Sequence, residues 1–146
     1  MAIFQQKITD HLESTLINYL SILGEMLLMD EAQTTLVSTS FYLSTLLQFI
    51  HIPNLIIINT TVALFNRICE YNQQATDILS QCILEENNIT NVNNTELSLS
   101  ILICLLDEGI DISIKMTILK FLAILIYSTK SLSLRVKVLS SIIIYA

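Results

Sequence analysis

This sequence has very little glycine, proline and charge. Its 146 residues include two glycines, one proline and no tryptophan. Strand-rich folds need many tight turns, and those turns depend on glycine and proline for their backbone conformations. Charged residues make up 14% of the chain, well below the usual share of about 25%. These shortages, beside a hydrophobic content of 53%, favour an all-α fold of deeply packed helices, formed as one domain over residues 1–146.

The residues that usually carry chemistry are also scarce. His11 and His51 are the only histidines, neither has a cysteine or acid at zinc-ligand spacing, and no CxxC pair occurs. Two glycines cannot build a phosphate-binding loop. The adjacent carboxylates Glu85-Glu86 and Asp107-Glu108 do not face each other on a helix, so they do not suggest an acid–base pair. We therefore expect no enzymatic activity, no metal and no cofactor.

Charge and cysteine content narrow the partners and the compartment. The net charge of −6 argues against nucleic acid, because phosphates require a basic surface. Cys69, Cys82 and Cys104 are an odd number and lie among apolar residues, which predicts free, buried thiols in a reducing compartment. The first residues contain no basic segment followed by an apolar run. These observations predict a cytoplasmic protein that binds other proteins.

The longest stretch without Asp, Glu, Lys or Arg covers residues 32–66, longer than the roughly 20 residues that span a bilayer. Polar or helix-breaking residues interrupt it at Gln48, His51, Pro53, Asn54 and Asn59. Lysines and Asp107 interrupt the later apolar runs. We interpret these segments as buried helices and expect no transmembrane segment.

Apolar residues recur at spacings of three and four along most of the chain, which predicts helices. The predicted ranges are 9–29, 34–50, 53–71, 74–86, 96–108, 112–128 and 131–144. Asp10 with Glu13 suggests a capping box at the start of the first helix, and Pro53 suits the first turn of the third. Gly109 is expected to end the helix at 96–108 by adopting the left-handed backbone conformation. The asparagine-rich run at 87–94 predicts an exposed loop.

The chain aligns with itself at one offset, of about 56 residues. Seven residues of one apolar helix fall on similar residues of a later one: Ile58, Thr61, Val62, Phe65, Ile68, Cys69 and Tyr71 on Ile114, Thr117, Ile118, Phe121, Ile124, Leu125 and Tyr127. Without the asparagine-rich insertion the unit is about 44 to 48 residues, at the upper end of the armadillo/HEAT period of roughly 40–47.

Residues 46–81 and 101–141 resemble armadillo/HEAT repeats, with paired leucines, a short break, an apolar helix and a polar residue opening the next helix. The resemblance implies an all-α, short α-solenoid (an armadillo/HEAT-like superhelix) of about six to seven helices. Asn72 occupies the position where armadillo repeats often place asparagine, whereas the second unit has Ser128 there. Among such proteins the chain looks most similar to the globular head of the Uso-type Golgi vesicle-tethering family. That likeness implies a non-catalytic interaction or scaffold module in vesicle tethering or trafficking.

The predicted binding residues fall into two groups. The helices at 55–71 and 112–127 are expected to form a concave wall with polar contact positions at Asn59, Asn66, Arg67 and Lys120. The second group is Arg135, Ile142, Ile143 and Tyr145, in a basic and then strongly apolar C-terminal helix. A helix end this apolar is rarely left in water. It therefore predicts a homo-oligomer or a larger assembly formed through this helix.

Two other functions also fit the composition. A compact, Bcl-2-like helical bundle would bind a partner helix in a groove, but it leaves the internal repeat unexplained. A peripheral membrane protein would use the apolar C-terminus, but the last helix lacks the strongly basic face expected of a surface binder.

Overall fold

The computed structural model describes residues 2–89, 97–107, 109–128 and 132–145, and every regular element within these ranges is helical. The elements are α1 (Ala2–Met26), α2 (Asp30–Val37), α3 (Ser40–Gln48), a 3₁₀ turn (Phe49–His51), α4 (Leu55–Tyr71), α5 (Gln73–Ile89), α6 (Ser98–Cys104), α7 (Ile112–Ser128) and α8 (Leu132–Tyr145). The all-α prediction is confirmed. The described residues form eight α-helices, more than the six to seven predicted, because one predicted helix is divided in two.

That division occurs within the range 34–50, which the pattern predicts as one helix. The chain breaks at residues 38 and 39, and Thr39 caps α3 by accepting a hydrogen bond from the Phe41 backbone N–H at 3.3 Å. The gap between the predicted ranges 9–29 and 34–50 is also partly helical, since Asp30 and Glu31 form the first turn of α2. Carboxylates are favoured there because the N-terminus of a helix carries partial positive charge.

The first helix begins earlier than its predicted cap. Thr9 lies inside α1, where its hydroxyl donates to the Gln5 carbonyl at 3.0 Å. The capping box of Asp10 and Glu13 is therefore wrong. Glu13 instead accepts a hydrogen bond of 2.7 Å from the Asn54 side-chain amide, which ties α1 to the start of α4.

Two further helix boundaries differ from the predictions. Pro53 precedes α4 and is not in its first turn, because Asn54 takes the capping position and accepts from the Ile56 and Ile57 backbone N–H groups at 2.9 and 3.2 Å. Gly109 follows the end of α6 at Cys104 by several residues, and its backbone is not left-handed. It does not act as the predicted stop.

The asparagine-rich run is not simply a loop. Residues 87–89 form the last turn of α5, so the predicted loop begins too early. The rest of that run, residues 90–94, lies outside the described residues. The α5 helix therefore extends three residues beyond the predicted end at 86, because asparagine's preference for turns is weak against the packing of a 17-residue helix.

The core is centred on α4, which packs against α1 on one side and α7 on the other. A further group of helices covers it: α5 contacts α3, α4, α7 and α8, while α6 contacts α8 and the 3₁₀ turn. Phe65 of α4 and Phe121 of α7 are fully buried, with ring centroids 5.5 Å apart. These rings join the two 17-residue helices that line the groove described below. None of the helices in the described ranges is both long and apolar enough to cross a membrane.

The three cysteines differ in their exposure. Cys69 and Cys82 are buried, as expected, but Cys104 is exposed at the end of α6, so the prediction of three buried thiols is wrong there. Burial raises the pKa of Cys69 to about 11 and also raises the pKa of Cys82. A raised pKa keeps these thiols protonated and therefore unreactive near neutral pH.

We expect a maleimide reagent to label one thiol per native chain, Cys104, and all three after unfolding in urea. Mass spectrometry of the labelled protein measures this directly. Cys104→Ser is the matched control and is expected to abolish the fast labelling. Rapid native labelling of Cys69 would contradict its burial against α5.

Candidate partner-binding groove

A groove of about 1000 Å³ opens between α4 and α7, and Leu27 and Leu28 of the α1–α2 turn close one side together with Gln33 of α2. Its apolar walls include Leu28, Tyr71, Met116 and Leu119, all exposed to solvent. Its polar groups come mainly from α4. Residues 59, 63, 66, 67 and 70 lie along one face of that helix, because they follow helical spacings of three and four.

Three of the predicted binding residues line this groove: Asn66, Arg67 and Lys120. Asn59 precedes them on the same face of α4 but is not part of the lining. The two helices predicted to form a concave wall, α4 and α7, thus both line this groove, and its role in binding stays a prediction.

Asn66 is the most unusual polar group in the groove. Its side chain is 6% exposed, and its amide nitrogen donates to the Thr117 carbonyl of α7 at 3.0 Å. Its amide oxygen is buried and has no hydrogen-bond partner among the described residues, as is also true of the Asn59 amide oxygen. A buried acceptor left unpaired costs on the order of 1–3 kcal/mol, so Asn66 carries an unused capacity to bind a donor.

Arg67 is held against α1. Its guanidinium donates to the Gly24 carbonyl at 2.6 Å. Gly24 lies inside α1, and a Cβ added there would meet Leu64 Cδ2 at 3.2 Å and Arg67 Nη1 at 3.6 Å. The missing side chain therefore lets α1 approach α4 closely and lets Arg67 reach the backbone. This bond fixes the position of a cation at the edge of the groove.

Lys120 and Glu70 form an ion pair of 3.4 Å across the groove, between α7 and α4. Both side chains are about half exposed, and a pair this accessible stabilises the fold by no more than about 1 kcal/mol. The groove thus offers a buried acceptor, charges of both signs and exposed apolar walls. This chemistry suits recognition of a polypeptide segment with both backbone donors and apolar side chains.

The remaining predicted residues lie on α8, away from the lining of the groove. Arg135 is partly buried, Ile142 packs against the core, and Ile143 is exposed. Tyr145 ends α8, and its side chain lies outside the described residues. The structure therefore places three of the predicted binding residues in the groove and four on α8, while Asn59 lies on α4 outside the groove lining.

The sequence reasoning missed a polar cluster formed by His51, Glu86 and Ser98. Glu86 accepts hydrogen bonds from the Ser98 hydroxyl at 2.7 Å and the Ser98 backbone N–H at 3.3 Å. His51 Nε2 lies 3.2 Å from the Ser98 hydroxyl oxygen and 3.5 Å from Glu86. Lys137 of α8 is near enough that Glu86 raises its pKa, although burial lowers that pKa by more.

This cluster resembles a hydrolase triad only in composition. In a triad the carboxylate orients the far nitrogen of the histidine, whereas Glu86 contacts the same nitrogen that faces the serine. Ser98 is 1% exposed and donates its proton to Glu86. The carboxylate instead caps the start of α6 and attaches it to α5. Sequence offered little signal for this contact, since Glu86 and Ser98 are separated by the asparagine-rich run.

Comparison with protein-family models, curated proteins and solved structures finds no match to this chain. Within the described ranges, no three histidine, cysteine or acidic side chains are grouped so that they could hold a metal ion.

Proposed function

We propose that this protein is a non-catalytic protein–protein interaction or scaffold module that holds a segment of a partner protein in the groove between α4 and α7. The observation that carries the proposal is the buried, unpartnered amide oxygen of Asn66 in the lining of that groove. This oxygen is covered in the free protein, so a backbone N–H of a bound segment would reach it by displacing a side chain of the lining. The contact would then convert an unfavourable feature of the free protein into a favourable one in the complex.

The surroundings of Asn66 support the same occupant. Tyr71, Met116 and Leu119 supply exposed apolar area, and aromatic and methionine side chains are typical of binding surfaces. Lys120 and Arg67 supply positive charge for acidic side chains or carbonyl oxygens.

The architecture that we propose is a short α-solenoid of the armadillo/HEAT type. The packing of α4 between α1 and α7, together with the equal lengths of α4 and α7, supports this stacking. The resemblance to Uso-type tethering factors extends the proposal to vesicle tethering in the cytoplasm. Assembly through the exposed face of α8, as a homo-oligomer or in a larger complex, is part of the same proposal.

A compact regulator of the Bcl-2-like kind is the second candidate, because α4 is surrounded by α1, α5 and α7 as a central bundle helix would be. Such a protein would take a partner helix in its groove instead of an extended segment. Circular dichroism of a bound peptide distinguishes the two, since only the second candidate predicts a gain of helix on binding.

The groove is tested by selecting binders from a displayed library of random peptides and measuring their affinity by calorimetry. Asn66→Leu is expected to weaken selected peptides by at least about tenfold, because a lost buried hydrogen bond is worth roughly 1–3 kcal/mol. The same change removes both an unpaired buried acceptor and the hydrogen bond to the Thr117 carbonyl. Because these effects oppose each other, the free energy of unfolding is expected to change by less than about 1 kcal/mol.

The matched control is Lys115→Ala, which removes a cation of α7 that does not line the groove. It is expected to leave peptide affinity unchanged, whereas Lys120→Ala is expected to lower it. Equal binding by wild type and Asn66→Leu, or a library that yields no binder to the wild type, would count against the groove as the binding site.

A further inference from the structure

An exposed apolar stripe runs along the whole of α1. Its large side chains are Ile8, Leu12, Tyr19, Ile22 and Met26, between 46% and 67% exposed. Thr15 occupies the one position of this series that lacks a large apolar side chain. Successive positions of the stripe are therefore four, three, four, three and four residues apart. This alternation is the pattern of a seam that packs against one other helix. The opposite part of α1, with Leu20 almost fully buried, already packs on α4.

A second stripe of the same kind lies on α8. Leu132, Val136, Leu139 and Ile143 are between 46% and 74% exposed, at spacings of four, three and four. Val138 of the same helix is fully buried, so α8 is attached to the body of the protein by a different face. The chain therefore presents one helical seam at each end of its sequence.

We propose that these two seams bind each other between copies: the α1 stripe of one copy packs, antiparallel, on the α8 stripe of a second copy. This inference rests on the assembly through α8 in the proposed function, and it names the occupant of that surface as α1 of another copy of this chain. The contact is heterologous, because it joins two different surfaces and leaves a free seam at each end of the pair.

Charge favours this arrangement over a symmetric one. By helical spacing, Glu25 lies at the flank of the α1 stripe and Arg135 at the flank of the α8 stripe. Two other charges are engaged within the copy, since Glu13 accepts a hydrogen bond from Asn54 of α4 and Lys137 lies near Glu86. Pairing α1 with α1, or α8 with α8, would bring like flanking charges together, whereas pairing α1 with α8 joins opposite charges.

The antiparallel register also matches layer by layer. Four layers then form between the copies, each pairing one residue of α1 with one of α8: Met26 with Leu132, Ile22 with Val136, Tyr19 with Leu139, and Thr15 with Ile143. The same register places Glu25 beside Arg135 at the flank of the seam, where oppositely charged residues set orientation in paired helices. Four matched layers and one flanking charge pair therefore follow from a single alignment.

The test uses sedimentation equilibrium of the full chain over a range of concentrations. The wild type is expected to grow beyond a dimer as concentration rises, because a heterologous contact adds copies one after another. Raising the salt concentration is expected to weaken this growth, since exposed charges are screened.

Two blocked variants then identify the surfaces. Tyr19→Gln with Ile22→Gln blocks the α1 stripe, and Val136→Gln with Leu139→Gln blocks the α8 stripe. Each variant alone is expected to be monomeric, with self-association weakened by more than about tenfold. An equimolar mixture is expected to form a one-to-one heterodimer, because one variant keeps an intact α8 and the other keeps an intact α1. Phe41→Gln, an exposed apolar residue of α3, is the matched control and is expected to assemble like the wild type.

The other arrangements give different results. A symmetric α1 contact would leave the α8-blocked variant dimeric, and a symmetric α8 contact would leave the α1-blocked variant dimeric. Either result, or a wild type that stays monomeric at every concentration, overturns the proposal. If a double variant has a shifted thermal unfolding curve, the single changes Ile22→Gln and Val136→Gln replace it. Peptide binding in the groove is tested by changes at Asn66 and Lys120, which belong to neither stripe. The proposed function can therefore succeed or fail independently of this assembly.

Discussion

Phe121→Ala is expected to lower the free energy of unfolding by about 3–5 kcal/mol, the range found when a buried aromatic ring is removed. The ring of Phe121 is fully buried on α7 and lies 5.5 Å, between centroids, from the ring of Phe65 on α4. Its removal leaves a cavity between the two helices that line the groove. Urea unfolding followed by circular dichroism measures the loss. Because domains are stable by only about 5–15 kcal/mol, a loss of this size removes a large part of the total.

The exposed Phe41 provides the control. Phe41→Ala is expected to change stability by less than about 0.5 kcal/mol, because its ring is largely in water. The double variant of Phe65→Ala and Phe121→Ala tests the pair itself. Its loss is expected to differ from the sum of the single losses by about 0.5–1.5 kcal/mol, the coupling typical of an aromatic pair. A loss below about 1 kcal/mol for Phe121→Ala would mean that α4 and α7 do not pack through these rings.

Glu86→Ala is expected to lower the free energy of unfolding by about 2–3 kcal/mol, since hydrogen bonds to a charged group contribute more than neutral ones. The change removes the acceptor of both hydrogen bonds from Ser98 and the partner of His51. Ser98 is buried, so its backbone N–H would lose its partner where water cannot easily replace it. Its hydroxyl would keep only the contact with His51 Nε2 at 3.2 Å. The first turn of α6 should therefore loosen, which hydrogen exchange at residues 98–104 would detect.

Glu85→Ala is the matched control, because Glu85 is adjacent, carries the same charge and is exposed, and accepts a hydrogen bond from the nearby Gln81 side chain at 3.3 Å. It is expected to change stability by less than about 0.5 kcal/mol. Equal effects of the two alanine variants would show that the general loss of charge matters and that the capping contact does not. The loss in free energy of unfolding for Glu86→Gln should lie between those of the two alanine variants, because an amide oxygen can still accept one of the Ser98 hydrogen bonds.

The groove and the core share the same helix, and this has a consequence for stability. Ile57, Val62 and Phe65 of α4 are fully buried, while Asn66 places an unpaired acceptor one position further along. A helix that served packing alone would gain by an apolar residue at that position. We therefore expect Asn66→Leu to weaken binding while it leaves stability nearly unchanged, because the lost hydrogen bond to Thr117 is offset by removal of the unpaired oxygen.

Local pattern was sufficient for helices whose boundaries are marked in the sequence. The range 112–128 was predicted with its observed bounds, because the apolar spacing begins just after Asp111, whose carboxylate accepts the Ser113 backbone N–H at 2.9 Å. Boundaries failed where a plausible cap competed with helix continuation. Thr9 and Asp10 are good capping residues, yet their side chains bond within α1, to Gln5 and Gln6.

The candidate site was predictable in part for a similar reason. Asn66 and Arg67 stand out as polar residues within an apolar helix, and Lys120 does the same in the helix that follows it in the alignment. Sequence spacing can place such residues on helix faces. It cannot say that Asn66 donates to Thr117 and keeps its oxygen unpaired, because that depends on how α4 and α7 meet.

By itself, the sequence determined the helical class, most of the helix positions and the polar face of α4, because these follow from short-range spacing and from the scarcity of glycine and proline. Only the tertiary structure decided which faces meet. It buried Cys69 but exposed Cys104, brought Glu86 to Ser98, and left apolar stripes uncovered on α1 and α8. Contacts between residues far apart in the chain depend on the relative positions of whole helices, and those positions are set by the joint packing of many side chains.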